Sequence, residues 1–238
     1  MTLAVRPTKL GGPAPYDSYA IRKRIGALDQ SITLQGKRVL DLGCGNGSYT
    51  IELAKRSQWL CGADIQISNL RQFREKLPRV QTVGEHLPLA DESFDAITMI
   101  EVLEHTDDDE KVARECWRVL RPGGKLILFV PNKLYPVESH PCYLGRVCIG
   151  RNIPLVSWLP SKIHDTMCSA RIYTRGRLQG LGESAGFELQ SIGYIYPPLD
   201  NFPLPFKGLY RKLSWLLEKS PLRVFGVSLF AIFVKPKS

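Results

Sequence analysis

The chain has 238 residues, of which 44% are hydrophobic and 23% charged. This composition fits one globular domain with a full core, or one domain with a sizeable insertion, and excludes a disordered chain. The net charge is +9, yet residues 41–110 hold 14 acidic and six basic side chains, so basic ends flank an acidic centre. A basic excess suits nucleic acid, anionic lipid or acidic substrates, and an ordinary solvated surface explains it equally well.

The termini and the cysteines predict a cytoplasmic protein. Residues 1–10 lack the apolar region of a secretory signal, and the apolar run at 225–234 is too short to span a bilayer. No C-x-x-C spacing occurs, so we expect neither a disulfide framework nor a zinc site. All six cysteines are therefore predicted to be reduced thiols: Cys44, Cys61, Cys116, Cys142, Cys148 and Cys168.

Strand and helix patterns alternate along the first half of the chain, after a loose arm at 1–15. The hydrophobic periodicity predicts helices at 18–30, 48–56, 68–76 and 107–120, and strands at 37–42, 59–63, 94–100 and 125–130. Thr106 is the predicted cap of the fourth helix. This alternation indicates an α/β fold with an open, largely parallel sheet that binds ligands at the carboxyl ends of its strands.

The alternation breaks after Pro131. Residues 132–170 contain four prolines without a clean pattern, which predicts a functional loop region rather than a connector. Further along, we expect a helix at 174–185 and strands at 187–196 and 224–234. An amphipathic helix is predicted at 206–218, either packed on the core or lying on a membrane surface, and we expect the core-packed form.

A glycine-rich turn follows the first strand, in the segment Asp41-Leu42-Gly43-Cys44-Gly45-Asn46-Gly47. Alternating glycines let the backbone turn sharply and approach a ligand closely. A dinucleotide motif would carry Gly or Ala where this chain has Ser48, which disfavours a nicotinamide cofactor. A carboxylate just before the turn suits a cationic ligand better than a phosphate.

Five motifs in order resemble those of the class I S-adenosylmethionine-dependent methyltransferases, in the branch that acts on ubiquinone and menaquinone precursors. They are the turn at 41–47, the acidic strand end at Asp64, residues 85–95, Glu101 to His105, and residues 120–124. The resemblance implies a Rossmann-like domain with a seven-stranded, mostly parallel sheet whose last strand runs antiparallel. It further implies an arm and helix at 1–35, a cofactor-binding half at 36–131, a lid at 132–173, and a C-terminal half at 174–238 with a helical insertion at 197–223.

The resemblance also implies S-adenosyl-L-methionine as the cofactor. In the family, the residue at Asp64 binds the ribose hydroxyls. An acidic residue two positions before Glu85 often meets the adenine amino group, but here that position is Val83. The cofactor-binding residues expected on these motifs are Asp41, Gly43, Cys44, Gly45, Gly47, Asp64, Ile65, Gly84, Glu85 and Glu101.

Methyl transfer needs alignment, exclusion of water and, for a hydroxyl acceptor, a base. His140, His164 and His105 are the candidates, since a neutral imidazole is the usual base near neutral pH. Tyr135, Arg171 and Tyr173 are candidates for binding the acceptor. We expect transfer to a small or lipid-like metabolite at oxygen, with possible membrane contact through residues 206–218 and no nucleic-acid partner.

Glu101, Glu104 and His105 form an E-x-x-E-H pattern similar to a magnesium site in small-RNA 2′-O-methyltransferases and some ubiquinone O-methyltransferases. The same pattern is common in metal-free relatives, so no metal is expected. Two other functions stay open at this point: an RNA 2′-O-methyltransferase, and a non-catalytic protein that binds S-adenosylmethionine.

Overall fold

The computed structural model describes residues 18–197 and 204–237. The predicted arm at 1–15 and part of the predicted insertion, residues 198–203, lie outside the described residues. The described chain is built on a central sheet of seven strands: β1 (Arg38–Leu42), β2 (Trp59–Asp64), β3 (Arg79–Gln81), β4 (Phe94–Ile100), β5 (Leu120–Pro131), β10 (Glu188–Ile195) and β11 (Ser228–Val234).

The strand order across this sheet is β10-β11-β5-β4-β1-β2-β3. β1 to β5 pair in parallel, whereas β11 runs antiparallel to both β5 and β10. This arrangement confirms the Rossmann-like fold with its antiparallel last strand. β3 was not predicted, because three residues at a sheet edge are too few to show a hydrophobic period.

Helices cover both faces of the sheet. They are α1 (Tyr19–Ser31), α2 (Ser48–Ala54), α3 (Ile67–Leu70), α4 (Asp109–Val119), α5 (Ser161–Met167), α6 (Arg175–Ser184) and α7 (Leu204–Lys219). The apolar stripe Ile21, Ile25 and Leu28 of α1 packs with Leu53 of α2 in the core of one face. α4 and α6 fill the core of the opposite face.

Two predicted helices differ from the structure at their ends. α4 begins later than predicted, because the Asp108 side chain caps it by accepting from the amide of Lys111, while the Thr106 hydroxyl donates to the Leu103 carbonyl. A single 3-10 turn, Leu103–His105, precedes it. The helix predicted at 68–76 is only the four-residue α3, since the chain turns away after Leu70.

Residues 132–173, the predicted lid, have regular structure that no sequence period revealed. β6 (Val137–Glu138) pairs with β9 (Ile153–Pro154), β7 (Cys142–Leu144) pairs with β8 (Val147–Gly150), and a 3-10 turn at Val156–Trp158 leads to α5. The strands are two to four residues long, so pairing between segments defines them rather than a hydrophobic pattern.

The prediction of six reduced thiols is wrong for one pair, because a disulfide joins Cys142 to Cys168. The two residues are 26 positions apart and no spacing rule links them. Cys44, Cys61 and Cys116 are free and buried, and Cys148 is free and exposed.

α7 lies where an amphipathic helix was predicted, but three of its leucines are exposed and do not pack on the core as expected. Leu209, Leu213 and Leu216 are 67%, 49% and 55% exposed. The face toward the body of the protein instead carries Ser214 and Glu218, both bound to Lys23 of α1. Among the described residues, no helix is long and apolar enough to cross a bilayer.

Candidate active site

The glycine turn after β1 is shaped by backbone conformations that favour glycine. Gly43, Gly45 and Gly47 have φ angles of 79°, 56° and 89°. A β-carbon on Gly43 would lie 2.2 Å from Cγ2 of Val102, in the loop after β4. Because no side chain fits there, this turn keeps the ends of β1 and β4 in close contact.

Asp41 lies beneath the turn, near the end of β1, and is only 2% exposed. Its two carboxylate oxygens accept hydrogen bonds from the hydroxyls of Thr50 and Thr98, at 2.7 and 2.9 Å. Burial raises the pKa of Asp41 to about 6, although both hydrogen bonds act in the opposite direction. Asp41 therefore anchors α2 and β4 to β1 and places a buried negative charge under the turn.

Asp64 ends β2 beside the same turn. One carboxylate oxygen accepts from the amide of Gly45 at 2.9 Å, and the other accepts from the amide of Gln66 at 2.7 Å. The next residue, Ile65, is 46% exposed. A carboxylate can accept hydrogen bonds from ribose hydroxyls, and an exposed apolar surface beside it at the strand ends suits an aromatic base. Cys44, in contrast, is buried, which raises the pKa of its thiol.

Gly84 and Glu85 lie farther along the same edge and are tied to α4. Glu85 accepts from the amides of Asp107 and Asp108 at 2.8 and 3.3 Å. A β-carbon on Gly84 would lie 3.2 Å from Val112. The Glu85 carboxylate is thus used for fixing the start of α4, which leaves the backbone of this segment as the part available to a ligand.

Glu101 follows β4 with a φ of 57°, an uncommon conformation for a residue with a side chain. Its carboxylate receives Arg24 of α1 at 2.7 Å and the Ser228 hydroxyl of β11 at 2.7 Å. Burial alone would raise the pKa of Glu101, but Arg24 and Ser228 hold it below its usual value. Glu101 is therefore an anion fixed by residues from both ends of the chain.

Glu104, three residues later, is in a contrasting environment. It is 1% exposed, and neither of its carboxylate oxygens accepts a hydrogen bond from a described donor. Burial and the Glu101 carboxylate raise the pKa of Glu104 well above its usual value. A buried carboxylate without donors is costly, and it indicates that a cation or a proton completes this site.

Two histidines face Glu104. One ligand atom from each of Glu104, His105 and His140 lies within 4.8 Å of the other two. The rings of His105 and His140 pack edge to face with centroids 5.5 Å apart. The structure thus brings two of the three histidines proposed as bases to the edge that carries Glu101, although His140 belongs to the lid.

His164, the third candidate base, is in a different situation. It is fully buried, with Nε2 2.6 Å from Glu138 and Nδ1 3.1 Å from Asp165. Burial disfavours its charged form, but these carboxylates raise the pKa of His164 above its usual value. Since both ring nitrogens face carboxylates, His164 offers no lone pair to a substrate proton.

The three residues proposed for acceptor binding are also separated by the structure. Tyr173 is fully buried and donates to Asp109 at 2.9 Å, so it is a core residue. The Arg171 guanidinium bonds the carbonyls of Leu103 and Asp107, which uses it to hold the loop after Glu104. Tyr135, in the predicted lid, is partly buried, so part of its side chain is exposed.

Arg24 and Glu138 are site residues that sequence analysis did not select. Arg24 sits among Arg22 and Lys23 in a basic run, but only Arg24 falls on the buried side of α1. Arg24 lies three residues after Ile21 and four before Leu28, and this helical spacing is the sequence signal that places it on the buried face. Glu138 lies two residues after Pro136 in a segment without a hydrophobic period, and no pattern distinguished it from a surface carboxylate.

Comparisons with known proteins agree with this geometry. Residues 40–128 match the family model described as a methyltransferase domain. A ubiquinone biosynthesis O-methyltransferase of Aeromonas salmonicida is 30% identical over 182 residues, covering 73% of this chain and 72% of the relative. The enzyme of the same name from Pseudomonas entomophila is 29% identical over 188 residues, covering 74% and 75%.

Solved structures show the same fold. The S-adenosylmethionine-dependent methyltransferase of Mesorhizobium loti superposes with a TM-score of 0.62 at 17% identity, covering 90% of this chain and 95% of that one. With the sequence relatives, the strand order and the glycine turn, these findings identify an enzyme that uses S-adenosylmethionine as methyl donor. The chain belongs to the class I S-adenosylmethionine-dependent methyltransferases.

Proposed function

We propose that this enzyme methylates a hydroxyl oxygen of a small, lipid-like acceptor of the hydroquinone type. The observation that carries the proposal is the cluster of Glu104, His105 and His140 beside the cofactor turn. A cluster of this composition can bind and deprotonate a phenolic hydroxyl next to a methyl donor. The relatives named ubiquinone biosynthesis O-methyltransferases support the same acceptor class.

S-adenosylmethionine supplies an activated methyl group on a positively charged sulfur, so the chain itself has to align the donor and the acceptor. Asp64 would accept the ribose hydroxyls in place of its present contact with the Gly45 amide. Ile65 would cover one face of the adenine, with the backbone at Gly84 along its edge. Asp41 would act through its charge, because threonine hydroxyls occupy both of its oxygens.

The site fits a divalent cation better than the sequence suggested. The unsatisfied carboxylate of Glu104 and the two imidazoles are oxygen and nitrogen donors of the kind that Mg²⁺, Mn²⁺ or Zn²⁺ accept. We therefore propose Glu104, His105 and His140 as ligands, with Glu101 adding negative charge nearby. A bound ion would polarise the acceptor hydroxyl and lower its pKa.

The test is transfer of labelled methyl from S-adenosylmethionine to a catechol that carries a short isoprenoid chain, with and without a chelator. We expect labelled methyl ether, loss of turnover with chelator, and recovery with added Mg²⁺ or Zn²⁺. Glu104→Gln should reduce turnover at least a hundredfold while keeping cofactor affinity, and the exposed Glu188→Gln is the control. Turnover that survives chelation would refute the metal, and methylation of RNA alone would favour a 2′-O-methyltransferase.

We further propose that α7 rests on an anionic membrane surface, from which a lipid-like acceptor would reach the site. Leu209, Leu213 and Leu216 are exposed on this helix. Lys212 of the helix and Arg223 of the turn that follows it, Pro221–Phe225, are exposed and positively charged. An apolar face bordered by basic side chains suits the boundary of anionic lipid.

Co-sedimentation with vesicles tests this contact. We expect binding to vesicles with anionic lipid, weaker binding to neutral ones, and loss of binding for Leu213→Glu combined with Leu216→Glu. Gln35→Glu, on an exposed loop after α1, adds charge away from α7 and should bind normally. Equal binding of the double variant and the wild type would contradict a role for α7.

A further inference from the structure

A buried carboxylate bridges two histidines of the lid behind the proposed metal ligands. Glu138, in β6, is 2% exposed. Its Oε1 lies 2.7 Å from Nδ1 of His140 and 2.8 Å from the His140 amide. Its Oε2 lies 2.6 Å from Nε2 of His164. One carboxylate thus holds both histidines, and His140 is the one that also faces Glu104.

The far side of this bridge is fixed as well. Asp165 lies 3.1 Å from Nδ1 of His164, and Arg177 of α6 lies 3.7 Å from Asp165. The Cys142–Cys168 disulfide joins the segment after His140 to the segment after His164. These contacts fix the position of His164, and through it the position of the Glu138 carboxylate that accepts from His140.

The hydrogen bond from His140 to Glu138 decides which ring nitrogen of His140 can react. A carboxylate that accepts at Nδ1 keeps the hydrogen there, so the lone pair is left on Nε2. Histidines that bind metals usually donate their other nitrogen to a carboxylate or carbonyl in this way. Glu138 itself stays behind the ring and does not touch the reacting atoms.

We infer that Glu138, held by His164, is a positioning residue that fixes His140 as the Nδ1–H tautomer and directs its Nε2 lone pair into the active site. The inference rests on the proposed function, since His140 is placed there as a ligand. It adds that two buried residues behind His140, Glu138 in contact with its ring and His164 in contact with Glu138, control the reactivity of His140.

The primary measurement is the nitrogen NMR of the metal-free protein, which reports the tautomer of each histidine. The chain has four histidines, and His140→Asn assigns the signal of His140. We expect Nδ1–H for His140 in the wild type and in Glu138→Gln, whose side-chain oxygen still accepts. In Glu138→Leu combined with His164→Leu, which removes the pair without leaving either member buried alone, we expect the Nε2–H tautomer.

The second measurement is Mn²⁺ affinity by titration calorimetry. The double leucine variant should bind at least tenfold more weakly, the size typical of losing an outer-shell carboxylate, and Glu138→Gln should stay within about threefold of the wild type. Ser157→Ala is the control, because it removes a lid hydrogen bond to the Tyr135 carbonyl without touching either histidine.

The outcomes separate this inference from the metal proposal. Nδ1–H in the wild type with no Mn²⁺ binding would refute the metal and leave the positioning role intact. An Nε2–H tautomer in the wild type, or Nδ1–H retained in a folded double leucine variant, would overturn the inference. A loss of Mn²⁺ affinity in Ser157→Ala as large as in the double variant would show a general effect of lid stability, and would also overturn it.

Discussion

Asp41→Asn tests the effect of the raised pKa of Asp41, the buried carboxylate under the glycine turn. The folded-state pKa of Asp41 is about 6 against an ordinary value of 3.8. The folded protein therefore binds this proton more tightly than the unfolded chain. The stability that the protonated form contributes is complete below about pH 4 and is lost as the pH rises through about 6. Two pKa units correspond to about 3 kcal/mol.

Asparagine stays neutral at every pH and can keep both threonine partners, with one hydrogen bond reversed at a cost of about 1 kcal/mol. Asp41→Asn should therefore be more stable than the wild type by about 2 kcal/mol at pH 8, and the advantage should vanish near pH 4. Its affinity for the positively charged cofactor should fall roughly tenfold, about 1.4 kcal/mol. The variant would thus be more stable than the wild type at pH 8 and bind the cofactor more weakly, a combination that is common for active-site substitutions.

Urea denaturation of both proteins at several pH values from 4 to 8 measures the first effect, and calorimetry with S-adenosylmethionine measures the second. The difference between the two proteins cancels the contributions of other titrating groups. Glu188→Gln, on an exposed strand, should follow the wild type throughout. A difference that does not change with pH, or a variant less stable at pH 8, would refute the argument from burial.

Three other substitutions or treatments test the framework of the site. Arg24→Met leaves the Glu101 carboxylate without its guanidinium, so the free energy of unfolding by urea at neutral pH should fall by about 3 kcal/mol; an unchanged value would mean that the pair is dispensable. Gly43→Ala should abolish cofactor binding and lower the stability. Adding Val102→Ala should restore the stability only in part, because the left-handed φ still costs about 1 kcal/mol. Full recovery of the stability would show that only the clash with Val102 mattered. Reduction of the Cys142–Cys168 disulfide should lower the free energy of unfolding by about 3 kcal/mol. Thiol titration in denaturant should then count six thiols instead of four, and six without reductant would contradict the disulfide.

The cofactor half of the molecule could be predicted from the sequence because its determinants are local. A strand, a glycine turn and a helix follow one another within residues 38–54, and each has its own signature of burial or backbone conformation. The right-handed crossover then places Asp41, Asp64 and Glu101 at one edge without further information.

The contacts of residues 132–173 could not be predicted in the same way, because they join segments that are distant in the sequence. His140 meets Glu104 and His105 only once the lid has folded, and the two-residue strand β6 that carries Glu138 shows no period. The same limit explains Tyr173, which was proposed for substrate and is fully buried. An aromatic residue in an irregular segment has the same sequence signature in a core as in a pocket.

Glu101 and Glu104 show how this fold gives two neighbouring carboxylates different tasks. Arg24 from α1 and Ser228 from β11 donate to the Glu101 carboxylate and keep it ionised, so the pKa of Glu101 lies below the usual value. Glu104 accepts from no donor among the described residues, and its pKa is raised. Groups whose environments separate their pKa values in this way can act as distinct partners in one reaction. Because Arg24 belongs to α1, the charge at the acceptor edge depends on how that helix packs against the sheet. The helix that covers one face of the core therefore also sets which carboxylate is left available for a cation or a proton.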